Sequence, residues 1–324
     1  MARYLIAILL IVIVVAGAFE WESANFAAAG PAARHGSQST VMIAPGTGIQ
    51  GVSHVLASAG VVVRPELFQL GVLLRRAGNR LKAGEYAIPS RASMLDIMDI
   101  LIAGKSLEHK FTAAEGLTSD MIYQLVKADP GLAGNPGPEP EEGSLLPETY
   151  LYTHGATRSA LLQRMHDAQL KYLDAVWSKR NPSVPLKSPA EALILASIVE
   201  KETSLPEERR HIAAVFERRL QIGMKLQSDP TIIYGLTKGY PLGRPIRASE
   251  ISAATPYNTY VVSALPASPI CNPGKDSIDA VLNPVESDDL YFVANGNGGH
   301  LFARSEAQQD RNVAAWRRFE AQHH

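Results

Sequence analysis

The N-terminal part of the sequence carries a run without any charged side chain, residues 4–19. As an α-helix this run would be about 24 Å long, or about 27 Å with Trp21 included, which is just enough to cross the hydrocarbon core of a bilayer. Arg3 precedes the run and Glu20 follows it. Because the positive end of a membrane helix stays in the cytoplasm, we expect the residues after Trp21 to face outward.

A cleaved signal peptide is the alternative interpretation of this run, because Ala16, Gly17 and Ala18 imitate a small-residue cleavage site. The run is slightly longer than the usual apolar region of a signal peptide, about 7–15 residues, and Trp21 suits an interfacial anchor. The sequence therefore favours a retained membrane anchor over residues 1–22. Both interpretations place the rest of the chain outside the cytoplasm.

Length and composition exclude several classes of protein. A chain of 324 residues points to two domains, and 46% hydrophobic with 19% charged residues excludes a wholly disordered chain. Lys and Arg number 31 against 32 Asp and Glu, so no basic excess is available for nucleic acid. The single cysteine, Cys271, excludes an internal disulfide and a cysteine-based zinc cluster.

The first half of the chain alternates short strand and helix patterns. Residues 23–40 are rich in Ala, Gly and Ser and predict a flexible tether. Residues 41–128 predict a small α+β module with an antiparallel strand pair. Its elements are a strand at 41–44, helices at 49–56 and 65–76, a strand at 83–89, and a helix at 93–103 stopped by Gly104. In the second helix, the leucines are expected to face inward: Leu67, Leu70, Leu73 and Leu74.

The second half of the chain reads as a larger, mainly helical domain with short strands and long loops. Residues 129–147 are rich in Pro, Gly and Glu and predict a linker before a domain at 148–324. Helical patterns cover 159–179, 189–203, 206–222 and 306–322. Residues 224–299 are rich in loop signals. The predicted fold class is therefore α+β, behind an N-terminal membrane anchor.

The helix at 189–203 carries the most informative carboxylate. Leu195, Ile198 and Val199 lie on one face of that helix, and Glu202 continues the face at its C-terminal end. Glu200 is rotated by about 200° around the helix axis, so the two acids cannot point into the same cleft. Loss of solvation and the helix dipole would both raise the pKa of Glu202 toward that of a proton donor. The alternative is a frayed, solvated helix end.

Two loops contribute further candidate residues. Gln227, Ser228, Asp229 and Thr231 surround Pro230 and could bind sugar hydroxyl and acetamido groups, or could simply cap nearby amides in a turn. A second set offers aromatic faces, an amide and an imidazole for a carbohydrate groove, namely Tyr257, Asn258, Tyr260 and His300. Packing tyrosines and a structural histidine remain the alternative for these residues.

Taken together, these segments resemble the endolytic murein transglycosylase family, also called the MltG or YceG-like family. The resemblance covers nearly everything after residue 41, in one order and spacing. The matching segments are KAGEY (82–86), EGLTSDMI (115–122), EGSLLPETYLY (142–152), ASIVEKET (196–203), VFERRLQIGMKLQSDPTIIYGL (215–236), TPYNTYVVSALPASPICNPGKDSI (255–278) and LYFVANGNGGHLF (290–302).

The resemblance implies a membrane-anchored lyase with a LysM-like N-terminal module and one catalytic glutamate in the C-terminal domain. Within ASIVEKET the catalytic role falls on Glu202, with Glu200 as the second choice. The enzyme would cut peptidoglycan between N-acetylmuramic acid and N-acetylglucosamine without water, leaving a 1,6-anhydro end. The implied substrate-binding residues are Gln227, Ser228, Asp229, Thr231, Tyr257, Asn258, Tyr260 and His300. No metal and no organic cofactor is implied.

The implied setting is the bacterial inner (cytoplasmic) membrane, with a single-pass anchor and the catalytic part on the outer, periplasmic side. The expected partners are peptidoglycan glycan strands and the membrane, with peptidoglycan synthases of the elongation or division machinery as candidates and no nucleic acid. We expect a monomer. Two other functions stay open: a non-catalytic wall-binding scaffold, and a hydrolase that pairs Glu202 with Asp229 about 5–9.5 Å apart.

Overall fold

The computed structural model describes residues 2–323, and their fold mixes helices with small antiparallel sheets. The chain divides into two compact units. Unit 1 contains the residues up to His109 together with Leu151–Ala156, and unit 2 contains Lys110–Tyr150 and the residues from Thr157 onward. This division falls earlier in the chain than the predicted module boundary at 128. The roles assigned to the predicted ranges, such as a LysM-like module at 41–128 and a catalytic domain at 148–324, remain predictions.

Unit 1 is built on the strand pair that the sequence predicts. Its elements in chain order are α1 (Ala2–Ala27), β1 (Gln38–Ile43), α2 (Ile49–Ser58), α3 (Pro65–Leu74), β2 (Gly84–Pro89) and α4 (Met94–Ala103). β1 and β2 pair antiparallel, from Gln38 opposite Pro89 to Ile43 opposite Gly84. Alternate side chains of both strands point into the unit's core with the buried faces of α2, α3 and α4.

The predicted helix after β2 is confirmed together with its caps. Ser93 accepts a hydrogen bond from the Asp96 amide, and the Asp96 side chain accepts one from the Ser93 amide, which makes a capping box. Gly104 ends α4 with a left-handed backbone, φ 69°. Local sequence alone decides such ends, because the bonds join residues only a few positions apart.

The predicted inward face of α3 is wrong for three of its four leucines. Leu67 is buried, but Leu70, Leu73 and Leu74 are all exposed. The buried face consists instead of Leu67, Phe68, Gly71 and Val72. Because almost the whole helix is apolar, periodicity did not discriminate between its two sides, and packing against α1 and α2 made the choice.

α1 is longer than the predicted anchor and ends inside unit 1. Residues 3–27 have a mean hydropathy of 2.5 over their most apolar window, none of which is buried, so by length and composition this helix can cross a membrane. Its last turns are different, because Glu22 is 2% and Phe26 0% exposed. The predicted tether at 23–40 is therefore wrong over residues 23–27, which are helical, and over residues 38–40, which belong to the first strand of the unit.

Unit 2 contains most of the helices. Strands β3 (Glu108–Thr112) and β4 (Thr149–Thr153) pair with each other, and the unit boundary falls inside both. The remaining elements are α5 (Ser119–Ala128), α6 (Arg158–Trp177), α7 (Pro189–Glu202), α8 (Pro206–Gln221), α9 (Asp229–Thr237), α10 (Ala248–Ile251), α11 (Lys275–Leu282), β5 (Tyr291–Ala294), β6 (His300–Ala303) and α12 (Glu306–His323).

The core of unit 2 forms where α7, α8 and α11 pack together. The predicted helices at 159–179, 189–203, 206–222 and 306–322 are confirmed within two residues at each end. The sequence analysis missed α9 and α11 inside the loop-rich stretch. α9 begins with Asp229 followed by Pro230, and proline at a first helical turn starts a helix as readily as it marks a loop.

Replacing Phe26 with Ala tests whether the end of α1 is part of unit 1. The Phe26 ring stacks on Phe68 with 6.0 Å between centroids. Loss of this fully buried ring should lower the free energy of unfolding of unit 1 by about 3–5 kcal/mol, measured by urea unfolding in detergent micelles. Phe19→Ala is the matched control, because Phe19 is 54% exposed. Equal effects of the two changes would contradict the packing.

Candidate active site

The candidate site is built around the last residue of α7. Ser188 caps the N-terminus of this helix by accepting a hydrogen bond from the Glu191 amide. Leu195, Ile198 and Val199 are fully buried and hold the helix in the core. Glu202 is partly buried at the C-terminal end, and the backbone turns to an extended conformation at Thr203. The helix is therefore rigid up to the carboxylate that it presents.

Glu200 and Glu202 contact different parts of unit 2. Glu200 accepts a hydrogen bond of 2.9 Å from the Gly274 amide and lies 3.9 Å from the Arg209 guanidinium. Glu202 accepts a hydrogen bond from the hydroxyl of Ser228. This divergence follows from their two-residue spacing on the helix. Glu200 thus joins α7 to the start of α11, and Glu202 faces the start of α9.

The environment of Glu202 raises the pKa of its carboxyl to about 7. Burial is the main cause, because it disfavours the charged form. The Ser228 hydroxyl opposes this shift by donating to the carboxylate, and the nearby negative charge of Asp229 adds to it. The charges of His300 and Arg219 favour the charged form. Glu202 can therefore both release and accept a proton near neutral pH.

A network of buried hydroxyl groups positions Ser228. The Ser228 amide donates to the Thr259 hydroxyl over 2.9 Å, and the Thr231 hydroxyl donates to the Ser228 carbonyl over 2.6 Å. The hydroxyls of Thr231 and Thr259 are 2.9 Å apart. Ser228 occupies the N-cap position of α9 but makes no capping bond with its side chain. Its hydroxyl is therefore free to bind Glu202.

Two exposed polar side chains flank this network. Gln227 has a left-handed backbone, φ 52°, and is exposed. Asp229 is also exposed and accepts a hydrogen bond of 2.7 Å from the Tyr260 hydroxyl. Burial, and then the bond to Asp229, raises the pKa of Tyr260 above its usual value. Tyr260 therefore remains a hydrogen-bond donor beside Asp229.

Asn258 and Tyr257 take positions within the protein. The Asn258 amide donates to the carbonyls of three residues, Glu250, Ile251 and Ala253. Its oxygen accepts from the Tyr260 amide over 3.0 Å, and the residue is 1% exposed. Tyr257 packs edge-on against Tyr234, and its hydroxyl lies 3.1 Å from that of Ser268. These contacts shape the loop that carries Tyr260.

His300 is paired with a carboxylate that the sequence analysis did not single out. Its Nδ1 lies 2.7 Å from Glu208, and its backbone amide donates to the same carboxylate over 2.8 Å. The Thr203 hydroxyl also donates to Glu208. Glu208 therefore ties the start of β6 to the residue that follows Glu202. His300 is mostly buried, with 15% of its side chain exposed.

Arg219 is the other residue that sequence reasoning missed. Its Nε donates to the Leu290 carbonyl over 2.7 Å, and a second nitrogen donates to the Leu226 carbonyl. The guanidinium lies 5.7 Å from the Tyr291 ring centroid and favours the charged form of Glu202. The sequence shows Arg218 and Arg219 side by side, and only the packing of α8 decides that Arg219 is the buried one.

The site has the parts of a single-acid proton-transfer centre. A desolvated carboxyl is held by one hydroxyl donor, next to an exposed carboxylate and a tyrosine hydroxyl. Within residues 2–323, no group of three or more His, Cys, Asp or Glu side chains is placed to hold a metal ion. Such a centre can donate a proton to a leaving group and then take one from a hydroxyl.

Comparison with known proteins identifies relatives over most of the chain. An endolytic murein transglycosylase of Streptococcus pneumoniae is 30% identical over 326 aligned positions, covering 85% of this chain and 58% of the relative. The enzyme of the same name from Bacillus subtilis is 31% identical over 173 positions, covering 53% of this chain and 47% of the relative. The chain thus spans about half the length of these relatives.

A solved structure and a family model extend the comparison. The crystal structure of a YceG-like protein from Listeria monocytogenes matches 86% of this chain and 99% of that chain, with a TM-score of 0.51 and 27% sequence identity. The model of the YceG-like family matches residues 41–315. This range includes most of both compact units and every residue of the site around Glu202. The chain is a member of the YceG-like family.

Proposed function

We propose that this protein is a membrane-anchored lytic transglycosylase that cuts peptidoglycan glycan strands internally, between N-acetylmuramic acid and N-acetylglucosamine. The observation that carries the proposal is the Glu202 carboxyl, whose pKa of about 7 suits a group that must act first as an acid and then as a base. The names of the two relatives support the substrate class. A glycan strand offers the leaving group and the attacking hydroxyl that one carboxyl can serve.

In the proposed reaction, protonated Glu202 gives its proton to the glycosidic oxygen as the bond to C1 breaks and an oxocarbenium-like state develops. The Glu202 carboxylate then removes the proton from the C6 hydroxyl of the same N-acetylmuramic acid. The C6 oxygen attacks C1, so a 1,6-anhydro end forms and Glu202 regains its proton. No water is consumed, and therefore no second carboxylate has to activate one.

The neighbours of Glu202 have different proposed roles. Ser228 orients the carboxyl, while Asp229 and Tyr260 bind the sugar. The Asp229 carboxylate also adds negative potential near the positive charge of the transition state. Gln227 binds substrate through its exposed amide. Four buried or half-buried residues act through loop shape and position rather than by touching sugar, namely Thr231, Tyr257, Asn258 and His300.

We further infer that α1 is a retained single-pass anchor in the cytoplasmic membrane, with both units on the outer side. The unbroken helix up to Ala27 and the packing of Phe26 into unit 1 support retention. Residues 41–128 are proposed to include a LysM-like module, supported by an antiparallel strand pair that encloses two helices in sequence. A monomer that works beside peptidoglycan synthases completes the proposal.

Replacing Glu202 with Gln should lower the rate of strand cleavage by about 10²–10⁴-fold, because the amide cannot donate or accept the catalytic proton. The measurement is mass spectrometry of muropeptides after incubation of the full-length protein with purified peptidoglycan. Glu200→Gln is the matched control on the same helix, and it should retain cleavage because Glu200 contacts Gly274 and Arg209 instead.

The products of the unmodified protein distinguish the competing functions. Anhydro ends are the expected result. Reducing ends would show a hydrolase that pairs Glu202 with Asp229, and unchanged strands would show a wall-binding scaffold. Loss of cleavage in the Glu200 variant, with cleavage kept in the Glu202 variant, would reverse the assignment.

The pH dependence of cleavage should report the ionisation of Glu202. The reaction requires the protonated acid, so kcat/KM should fall by about tenfold per pH unit above a pKa of about 7. Ser228→Ala removes a donor to the carboxylate and should therefore raise the pKa of Glu202. The alkaline limb of the pH profile, where kcat/KM falls, should move to higher pH by roughly one unit. A limb that moves downward in this variant would contradict the proposed contact.

Glu217 supplies a matched control for the pH profile. Burial raises the pKa of this α8 carboxyl to about 8, yet the residue lies outside the contacts around Glu202. Glu217→Gln should therefore leave the alkaline limb in place. If the alkaline limb disappears in this variant, the limb reports the ionisation of Glu217 and not that of Glu202.

Stability should show the cost of keeping Glu202 desolvated. Its pKa in the folded protein lies above the usual 4.5, so its stabilising contribution is complete below pH 4.5 and is lost as the pH rises through about 7. At pH 8, Glu202→Gln should raise the free energy of unfolding by about 1–3 kcal/mol, and at pH 4 by little. Thermal unfolding at both pH values measures the difference, and a destabilised variant at pH 8 would contradict the burial of the charge.

A further inference from the structure

Within unit 1, α3 packs against the end of α1. Phe68 of α3 stacks on Phe26 of α1, and Arg75 just after α3 forms an ion pair of 2.9 Å with Glu22. Between these contacts, a Cβ on Gly71 would lie 2.2 Å from the Phe26 ring and 2.8 Å from the Glu22 carboxylate. The Arg75 guanidinium also lies 4.3 Å from the centroid of the Phe26 ring, so the end of α3 is held against the last turns of α1.

The C-terminal half of α3 exposes three leucines on one side. Leu70 is 46%, Leu73 59% and Leu74 48% exposed. Their spacing of three and four residues places them on a single helical face, opposite the buried Phe68 and Val72. We call these three residues the leucine face. Exposed leucines normally occur singly on soluble proteins, so a cluster indicates a contact surface.

The segment around the leucine face is basic. Residues 67–84 contain four positive side chains, Arg75, Arg76, Arg80 and Lys82, and no acidic one. Arg76, Arg80 and Lys82 are exposed, whereas Arg75 is the partner of Glu22. Apolar side chains beside several positive charges are typical of helices that bind the surface of anionic membranes.

We propose that the leucine face docks on the lipid surface of the same membrane that α1 spans. Trp21 marks the interfacial end of the anchor, and Glu22, the partner of Arg75, follows it directly along α1. The end of α3 therefore lies at the level of the lipid headgroups. Leu73 and Leu74 enter the boundary between headgroups and acyl chains, while Arg76 and Arg80 bind lipid phosphates.

This docking rests on the proposed anchor and adds a second attachment to it. A single spanning helix leaves rotation and tilt of the attached domain open, whereas a helix held at the surface restricts both. Unit 1 would then stand on the membrane in one orientation. A second copy of the chain is a less suitable partner. In such a contact the basic side chains near the leucine face would lie against the basic side chains of the other copy and repel them.

The test places a fluorescent bimane label on the full-length protein in nanodiscs that hold one copy. The lipids are phosphatidylethanolamine and phosphatidylglycerol, with or without a nitroxide near the top of the acyl chain. Single-cysteine labels are introduced as Leu73→Cys, as Lys105→Cys on an exposed polar site of unit 1, and as Val12→Cys within the anchor. The native Cys271 is buried, so it should not react with the label.

The nitroxide lipids should quench the label at position 73 strongly and the label at position 105 little. Adding Leu70→Ser and Leu74→Ser should reduce quenching at position 73 to the level at 105, and replacing phosphatidylglycerol with phosphatidylcholine should weaken it. Quenching at 73 no greater than at 105, or unchanged by the serines, would overturn the docking.

The label at position 12 separates this inference from the anchor on which it rests. Quenching at 12 without quenching at 73 would refute the docking alone and leave the anchor intact. The absence of quenching at 12 would refute both. A label at 73 that is shielded only in nanodiscs holding two copies would assign the leucine face to a contact between chains. Cleavage of peptidoglycan, measured separately, bears on neither result.

Discussion

The contact between the Ser228 hydroxyl and the Glu202 carboxyl is the interaction on which the proposed chemistry depends. Burial raises the pKa of Glu202, and this hydroxyl is the largest of the influences that limit the rise, so that the carboxyl changes charge near neutrality. The contact exists because α7 ends at Glu202 just where α9 begins at Ser228 and Asp229. The hydroxyls of Thr231 and Thr259 are fully used in holding that junction.

In unit 1, as around Glu202, buried contacts fix the position of exposed side chains. The end of α1 is anchored by Phe26 and by the Glu22–Arg75 ion pair, both inside the unit. This packing makes α1 a continuation of the folded unit. The exposed leucines of α3 follow from it, because the buried face of α3 is already occupied by α1 and α2. A flexible tether would have left the position of these leucines undetermined.

Sequence patterns predicted the elements whose ends depend on local bonds. The capped helix after β2 and the antiparallel pairing of β1 with β2 are confirmed, as are the long helices of unit 2. The patterns did not locate α9, where a proline that starts a helix resembles one that ends it. They also did not orient α3, because an almost uniformly apolar helix has no periodic signal.

The sequence by itself determined that Glu202 and Glu200 point in different directions, because their angular separation on a helix depends only on the spacing between them. It also determined the apolar length of α1 and, through several matching segments, the family. Only the tertiary structure decided which groups surround Glu202. Ser228, Arg219 and Glu208 reach the site from other segments, and their burial depends on how α7, α8 and α9 pack. A side chain's solvation is a property of all its neighbours, and so no local pattern can encode it.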